Sequence, residues 1–260
     1  MAEITKIRRY WNKQAELLKC KPTATTPDIL ARKLEIKALL KYCRDNEKIL
    51  DAGCGNGYST IRLAKRKSIN ITGVDYSEKM IKYANTQLKG LKLKGNVEFK
   101  VGDVLNLKFR NEVFDKVITD RCLINLPTFK HQLKAIKELH RVLKPNGTCL
   151  MLECTQQGLK KLNTLRKKCG LSEIKVRWHD LYLDEKKLLA SIKPYFDLVK
   201  IDNFASTYYI CSRILNAKLT PRGEEPDYLS PINKIAARLP PLGDYNALKL
   251  FVLNKQQIAI

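Results

Sequence analysis

Three glycines in strict alternation, Gly53, Gly55 and Gly57, follow the apolar pair Ile49-Leu50 and the acid Asp51. No other stretch restricts the fold as tightly. Residues 48 to 50 are strand-like and 59 to 65 helix-like, with Ile61, Leu63 and Ala64 in helical spacing, so the glycines stand where a parallel strand hands over to a helix. Open α/β sheets bind ligands at such a place. Glycines let the backbone pass close to a ligand with no Cβ in the way, and the Asp51 carboxylate at the strand tip suits a cationic partner. The dinucleotide pattern G-x-G-x-x-G is excluded, because it needs a glycine where Tyr58 stands.

A strand followed by D-x-G-C-G-x-G resembles the first motif of the class I S-adenosylmethionine (SAM) dependent methyltransferases, and the likeness runs to about residue 153. Within that class the chain resembles the small-molecule type, in particular the ubiquinone/menaquinone methyltransferase group. The resemblance implies SAM as cofactor, with Asp51, Gly53, Cys54, Gly55 and Gly57 around it. It also implies a second acid at the tip of the next strand, and residues 69 to 75 end in Asp75, at the interval from which an acid reaches the ribose hydroxyls of a nucleoside. Tyr76 follows, Ser77 is placed to cap a helix, and Met80 to lie against a flat ring. After the third strand the resemblance assigns Asp103 to the adenine amino group and the Val104 backbone to a ring nitrogen. Read alone, Asp75 and Asp103 would be turn acids; in register with the glycine turn they read as ligands.

From residue 47 strand and helix alternate, with strands expected at 48 to 52, 69 to 75, 96 to 101, 114 to 120 and 147 to 153. A strand near 198 to 201 and a last one at 250 to 253 complete a Rossmann-like α/β fold: a seven-stranded, mostly parallel sheet with helices on both faces and a helical cap. A chain of 260 residues, 44% of them apolar, buries one sizeable core, so one methyltransferase domain is expected over 1–260. Its parts are an N-terminal helical cover (1–46), a SAM-binding core (47–154), cap insertions around a late strand (155–247), and the last strand and tail (248–260).

In the cover, Tyr10 and Trp11 lie on a first helix and residues 21 to 27 form a break. Asp28 or Thr26 then caps a second helix with the apolar pattern Ile29-Leu30, Leu34, Ile36, Leu39-Leu40. That helix packs on the sheet by its pattern. By resemblance the cover folds over the cofactor, making Tyr10, Trp11 and Arg32 candidates to cover it or to hold its carboxylate.

The fourth strand ends at Asp120-Arg121, beside the expected methyl position, and both are candidate site groups; a salt-bridged loop pair is the alternative reading. The stretch to Pro127 looks like the one that in many small-molecule methyltransferases carries two adjacent histidines. Here Ile124 and Asn125 stand in their place, which removes an obvious imidazole base. His131 and His140 read as solvated or structural.

Residues 155 to 195 hold helices from about 158 to 169 and from near Asp184, separated by Val176-Arg177-Trp178-His179-Asp180. The connection from 205 to 247 carries Tyr208-Tyr209 and Arg213; connections this long are often functional, and with the cover they close the acceptor pocket or cover a sheet edge. Methyl transfer needs alignment, exclusion of water and a base only for a protonated acceptor. For an alcohol the candidates by type are His179, with Asp180 beside it, or Tyr208, with Asp120 as a second catalytic candidate.

A net charge of +23 favours anionic partners such as RNA, phosphorylated metabolites or acidic membrane surfaces, and a lysine-rich genome with no functional meaning for the charge is the equal alternative. The first reading is O- or N-methylation of a small anionic metabolite or carbohydrate; an RNA methyltransferase and a catalytically silent SAM-binding subunit are the alternatives. Eight cysteines without C-x-x-C or zinc spacing, and no apolar run long enough to span a bilayer, fit a cytoplasmic protein with no metal. Oligomeric state and the methylated atom are not encoded in these patterns.

Overall fold

The computed structural model describes residues 2–221 and 223–256; the tail expected at 257–260 lies outside them. The strands are β1 (Lys48–Ala52), β2 (Asn70–Asp75), β3 (Asn96–Val101), β4 (Phe114–Asp120), β5 (Leu143–Cys154), β6 (Phe196–Asp202) and β7 (Leu248–Lys255). Among the described residues they form one seven-stranded sheet in the order β3-β2-β1-β4-β5-β7-β6. Strands β3 to β5 of that row run parallel through β2, β1 and β4, and β7 pairs antiparallel with both β5 and β6. The central strands are mostly buried along their whole length, on both faces, around the runs Ile49-Leu50, Val117-Ile118 and Leu250-Phe251-Val252-Leu253.

Around the sheet lie α1 (Ala2–Leu18), α2 (Ile29–Leu40), α3 (Tyr58–Arg66), α4 (Glu78–Leu88), α5 (Phe129–Val142), α6 (Gln156–Lys168) and α7 (Glu185–Ile192). The connection after β6 folds into α8 (Ser206–Ile210), a π turn (Cys211–Leu215), α9 (Asn216–Leu219) and α10 (Pro231–Ala236). Short polar side chains start several of these helices by accepting a free amide: Asp28 from Ala31, Ser77 from Met80, Thr128 from His131, Thr155 from Gly158. Asp28 does more. Its Oδ1 also accepts the Tyr208 hydroxyl at 2.7 Å and its Oδ2 pairs with Arg213 at 2.6 Å, so one cap ties α2 to the late connection.

Register fixes where the ligand-side acids emerge. Ala52 stands opposite Val74 on one side and Thr119 on the other, which brings Asp51, Asp75 and Asp120 out along one edge of the sheet. The strand order reverses between β1 and β4, the position at which a doubly wound sheet opens a crevice.

Two expectations shift. The fifth strand starts at Leu143 rather than 147: Asn146, at φ +61, lets a bulge pass between the pairs Phe114 to Leu143 and Lys116 to Thr148. The last two strands are also longer than their apolar cores suggest. Among the described residues no helix is long and apolar enough to cross a membrane.

Gly53, at φ +82, is required by packing: a Cβ there would lie 2.5 Å from Cys122 Sγ and 2.6 Å from Cys122 Cβ. Gly53→Ala should lower stability by about 2 kcal/mol or more, from left-handed backbone strain plus collision. Thermal unfolding by circular dichroism should show a fall of about 5 °C; an unchanged midpoint would contradict the close approach.

Candidate active site

The glycine turn is bent back onto β2, with the amides of Gly53 and Cys54 both donating to the Val74 carbonyl at 2.8 and 3.0 Å. Gly55 N then donates to Asp75 Oδ2 at 3.0 Å, while Ser77 N donates to Oδ1 at 2.8 Å. Asp51 accepts the Thr60 hydroxyl at 2.5 Å. Burial pushes the Asp75 carboxyl up to about 6, against its two backbone bonds, and the Asp51 carboxyl up to about 7, against the bond from Thr60.

This turn forms one wall of a cavity of about 270 Å³ at the C-terminal edge of β1, β2 and β4. Asp51, Gly53, Cys54, Gly55 and Asp75 line it, followed by Tyr76, Met80, Asp103 and Val104 toward β3. Gly57 does not. It starts α3 at φ +76, and its missing Cβ admits the Phe99 ring, whose Cζ would be 2.5 Å away; its contribution is to packing behind the turn.

Trp11, Arg32, Asp120 and Arg121 line the middle of the cavity. Arg32 donates to Ser59 Oγ at 3.1 Å and to Thr25 Oγ1, and its Nε lies 3.3 Å from Glu35. Arg121 meets both Glu35 oxygens, at 2.6 and 2.7 Å. Burial raises the Glu35 carboxyl above its usual range and the Arg121 charge opposes the rise. Asp120 is the exception in this cluster: both its carboxylate oxygens are buried without a hydrogen bond, and Arg32 and Arg121 stand at 3.8 and 3.9 Å. The salt-bridged pair weighed for Asp120-Arg121 is thus present but loose, at 3.9 Å, beside a tighter pair between Arg121 and Glu35. Glu35 escaped the sequence reading, although an acid on the apolar face of α2, three residues from Arg32, was a signal.

Glu153, wholly buried at the end of β5, accepts the amides of Cys122, Leu123 and Ile124 and so shapes the loop after β4. Asn125 closes the loop with three contacts: Nδ2 to the Arg121 carbonyl at 2.8 Å, and Oδ1 to the Trp11 indole N–H at 2.9 Å and near His179 Nδ1 at 3.1 Å. Leu181 N, donating to the Ile124 carbonyl at 2.6 Å, joins the cap to the same loop.

His179 is thereby carried into the cavity from a segment 54 residues downstream of Asn125. Its ring stacks on Tyr10 at 4.5 Å, Nδ1 is 3.0 Å from Asp180 Oδ1, and Nε2 is buried with no hydrogen-bond partner. Tyr10 thus backs the imidazole and does not line the cavity. Tyr208, the other base considered, is buried on Asp28, whose charge together with burial raises the phenol; Tyr209 lines the cavity instead. Lys175, Arg177, Tyr182, Arg213 and Tyr228 complete the far end, with the Arg213 guanidinium over the rings of Tyr209 and Tyr228. His131 is exposed, hydrogen-bonded to Thr128, and His140 is packed edge-on against Tyr195 and Phe196.

The family model described as a methyltransferase domain matches residues 44–192, more than half of the chain. Demethylmenaquinone methyltransferase of Lactobacillus johnsonii is 35% identical over 127 residues, 48% of either protein, so the chain spans about half the length of the curated relatives it matches. Among solved structures, the putative methyltransferase of Haloferax volcanii, in complex with the Trm112 methyltransferase activator, has a TM-score of 0.64 at 15% identity, covering 94% of this chain and 96% of that one. Magnesium protoporphyrin IX methyltransferase of Synechocystis, with bound SAH, has a TM-score of 0.57 at 16% identity, covering 86% and 84%. At such identities the structures speak for the fold alone. The match across residues 44–192, which contain the glycine turn and Asp75, shows that the chain belongs to the methyltransferase-domain family, as a class I SAM-dependent methyltransferase.

Proposed function

We propose that this methyltransferase acts on a small anionic acceptor, at oxygen or nitrogen, with His179 as base where the acceptor is a hydroxyl. The observation that carries the reading is His179, which lines the same cavity as the glycine turn and keeps Nε2 buried without a hydrogen-bond partner.

Bound SAM supplies a methyl carbon already activated by its sulfonium. The chain's own groups hold and orient. Gly53 and Gly55 offer backbone that a ligand can approach, Asp75 serves the ribose hydroxyls, Tyr76 and Met80 flank the purine, and Asp103 and Val104 meet its polar edge. Asp51 and Asp120 suit the cationic part of the molecule and Arg32 its carboxylate, with Trp11 above them and Arg121 held between Glu35 and Asp120. At the far end, Lys175 and Arg177 are exposed on the rim with no acid paired to them among the described residues, which supports an anionic acceptor. His179 Nε2 takes the acceptor's hydroxyl proton, and Asp180 steadies the resulting imidazolium across Nδ1.

Two alternatives are weighed against the same cavity. The relatives named for demethylmenaquinone, together with Tyr182, Tyr209 and Tyr228 along the far end, favour a flat quinone-like ring as a second acceptor class. RNA methylation draws on the +23 charge, but a cavity roofed by α1 and the cap suits a small molecule better than a polymer. Incubation with methyl-labelled SAM and acceptor pools, with product mass read out, tests the reading. Label entering an anionic small molecule supports it, whereas label entering RNA or a neutral quinone, or binding of SAM with no turnover on any pool, overturns it.

Gly55→Ala, at φ +55 and with a Cβ 2.8 Å from the Thr25 methyl, narrows the backbone approach and should weaken SAM binding by about tenfold or more while the chain stays folded. Calorimetry giving wild-type affinity would remove the turn from the SAM site.

Asp75 and Asp51 bind as carboxylates, so protons must leave groups sitting at about 6 and about 7. SAM affinity should therefore fall as pH drops from 7.5 to 5.5, by at most about tenfold per pH unit for each proton released. For the free protein the sign reverses: the raised values make these two contributions to stability largest below the ordinary 3.8 and lost as pH rises through 6 to 7. Titration calorimetry in buffers of different ionisation enthalpy counts the protons; no release between pH 6 and 7 would contradict the assignment.

His179→Ala should leave SAM affinity nearly unchanged and lower turnover on a hydroxyl acceptor by about two to four orders of magnitude. Wild-type turnover in that variant across pH would leave His179 with packing alone.

A further inference from the structure

Asn125 joins three segments brought from far apart: the Trp11 indole on α1, the Arg121 carbonyl on the loop after β4, and the His179 ring on the cap. An indole N–H only donates and a carbonyl only accepts, so these two partners decide which end of the amide faces the ring. It is the oxygen. The other neighbour of His179 Nδ1 is Asp180 Oδ1, also an acceptor. With acceptors on both sides, the proton of the neutral imidazole belongs on Nδ1, and the lone pair is left on Nε2, the buried atom without a hydrogen-bond partner.

We infer that Asn125 is the positioning residue of the site: one amide oxygen holds α1 down over the cavity through Trp11 and, together with Asp180 Oδ1, keeps the His179 proton on Nδ1. The inference rests on the reading of His179 as base. It also gives a physical sense to the departure at residue 125: the imidazole comes from residue 179, and the side chain at 125 orients it instead of supplying it. Simple filling of space would be served as well by leucine, of nearly equal size. The inference requires an oxygen.

The test uses the full chain with its nitrogens labelled, with and without S-adenosylhomocysteine as probe. Three histidines and two tryptophans are few enough to assign with His179→Gln and Trp178→Phe. In the wild type, long-range proton–nitrogen spectra of the neutral rings should show His179 protonated on Nδ1, and the Trp11 indole N–H should exchange slowly. Asn125→Leu should speed that exchange by about five- to tenfold, the loss of one hydrogen bond, and shift the His179 Nδ1 proton resonance, since Asp180 Oδ1 is then left as its acceptor. Asn125→Asp gives up the bond to the Arg121 carbonyl but keeps an oxygen toward both groups, and should retain both signals. If Asn125→Leu fails to fold, Trp11→Phe stands in: it keeps a ring in place, removes the donor, and should raise amide exchange across α1 by a similar factor. A wild-type His179 protonated on Nε2, Leu and Asp variants that behave alike, or a Trp11→Phe chain with unchanged α1 exchange each overturn the inference. Should the spectra come out as expected while His179→Ala turns over normally, the base reading fails and the positioning by Asn125 stands.

Discussion

The bidentate pair between Glu35 and Arg121 is the contact on which the site's geometry depends. Glu35 is wholly buried on α2, and a buried carboxylate without its partner is costly by several kcal/mol, about 3 to 5 when one member of such a pair is removed. The pair therefore locks α2 to the loop after β4. It also restrains Arg121 at φ +54, a backbone conformation that side chains other than glycine rarely adopt, with help from the bond between its amide and the Leu152 carbonyl. That conformation turns Cys122 toward the glycine turn, and Gly53 accommodates it by lacking a Cβ. One ion pair thus sets the loop, the loop sets the turn, and the turn lines the cavity.

The same cluster leaves charge over. Arg32 and Arg121 face Glu35 and Asp120, with Asp51 close enough to feel Asp120 and Arg32. Two cations against three acids leave room for positive charge, and Asp120 has both oxygens free of hydrogen bonds to receive it. Burial meanwhile raises Asp51 and Asp75, so that the protein alone disfavours the ionised form of these acids. A ligand bearing a cation beside polar hydroxyls relieves both conditions. Stability withheld from the free protein is in this way recovered on binding, a common property of functional sites.

Legibility in the sequence follows the range of the contact. The glycine turn, Asp75 and Asp103 were readable because a strand tip and the turn after it are a local pattern, and register then aligns them across the sheet. Gly57 shows the limit of that reading: its spacing fits a ligand turn, yet Phe99, forty-two residues on, decides that the space is used for packing. Tyr208 and Tyr209 are adjacent, and which of them reaches the cavity depends on Asp28, a hundred and eighty residues before Tyr208. Asn125 looked like the loss of a catalytic side chain because its partners, Trp11 and His179, come from either end of the chain. Glu35 and Glu153 carried a weaker signal: an acid within an apolar face or run is one that needs a buried partner.

Of the elements around the cavity, α1 is the one held least firmly. Most of its residues are half-buried or exposed, with Ile7 and Ala15 as its buried apolar contacts, and its ion pairs from Arg8 to Glu78 and from Glu16 to Lys79 lie in solvent, where such pairs contribute little. The bond from Ser77 Oγ to Asn12 Oδ1, that from Trp11 to Asn125 and the Tyr10 ring stacked on His179 are among its specific anchors at the cavity. The cap is different: Leu181, Gln132 and the Asp28 to Arg213 pair knit it to the loop and to α2. The floor and far wall of the cavity are thus held by more buried polar contacts than the helix that covers it. The Asn125 oxygen, which accepts the Trp11 indole and lies against the His179 ring, thus joins the most lightly held wall of the cavity to the imidazole proposed as its base.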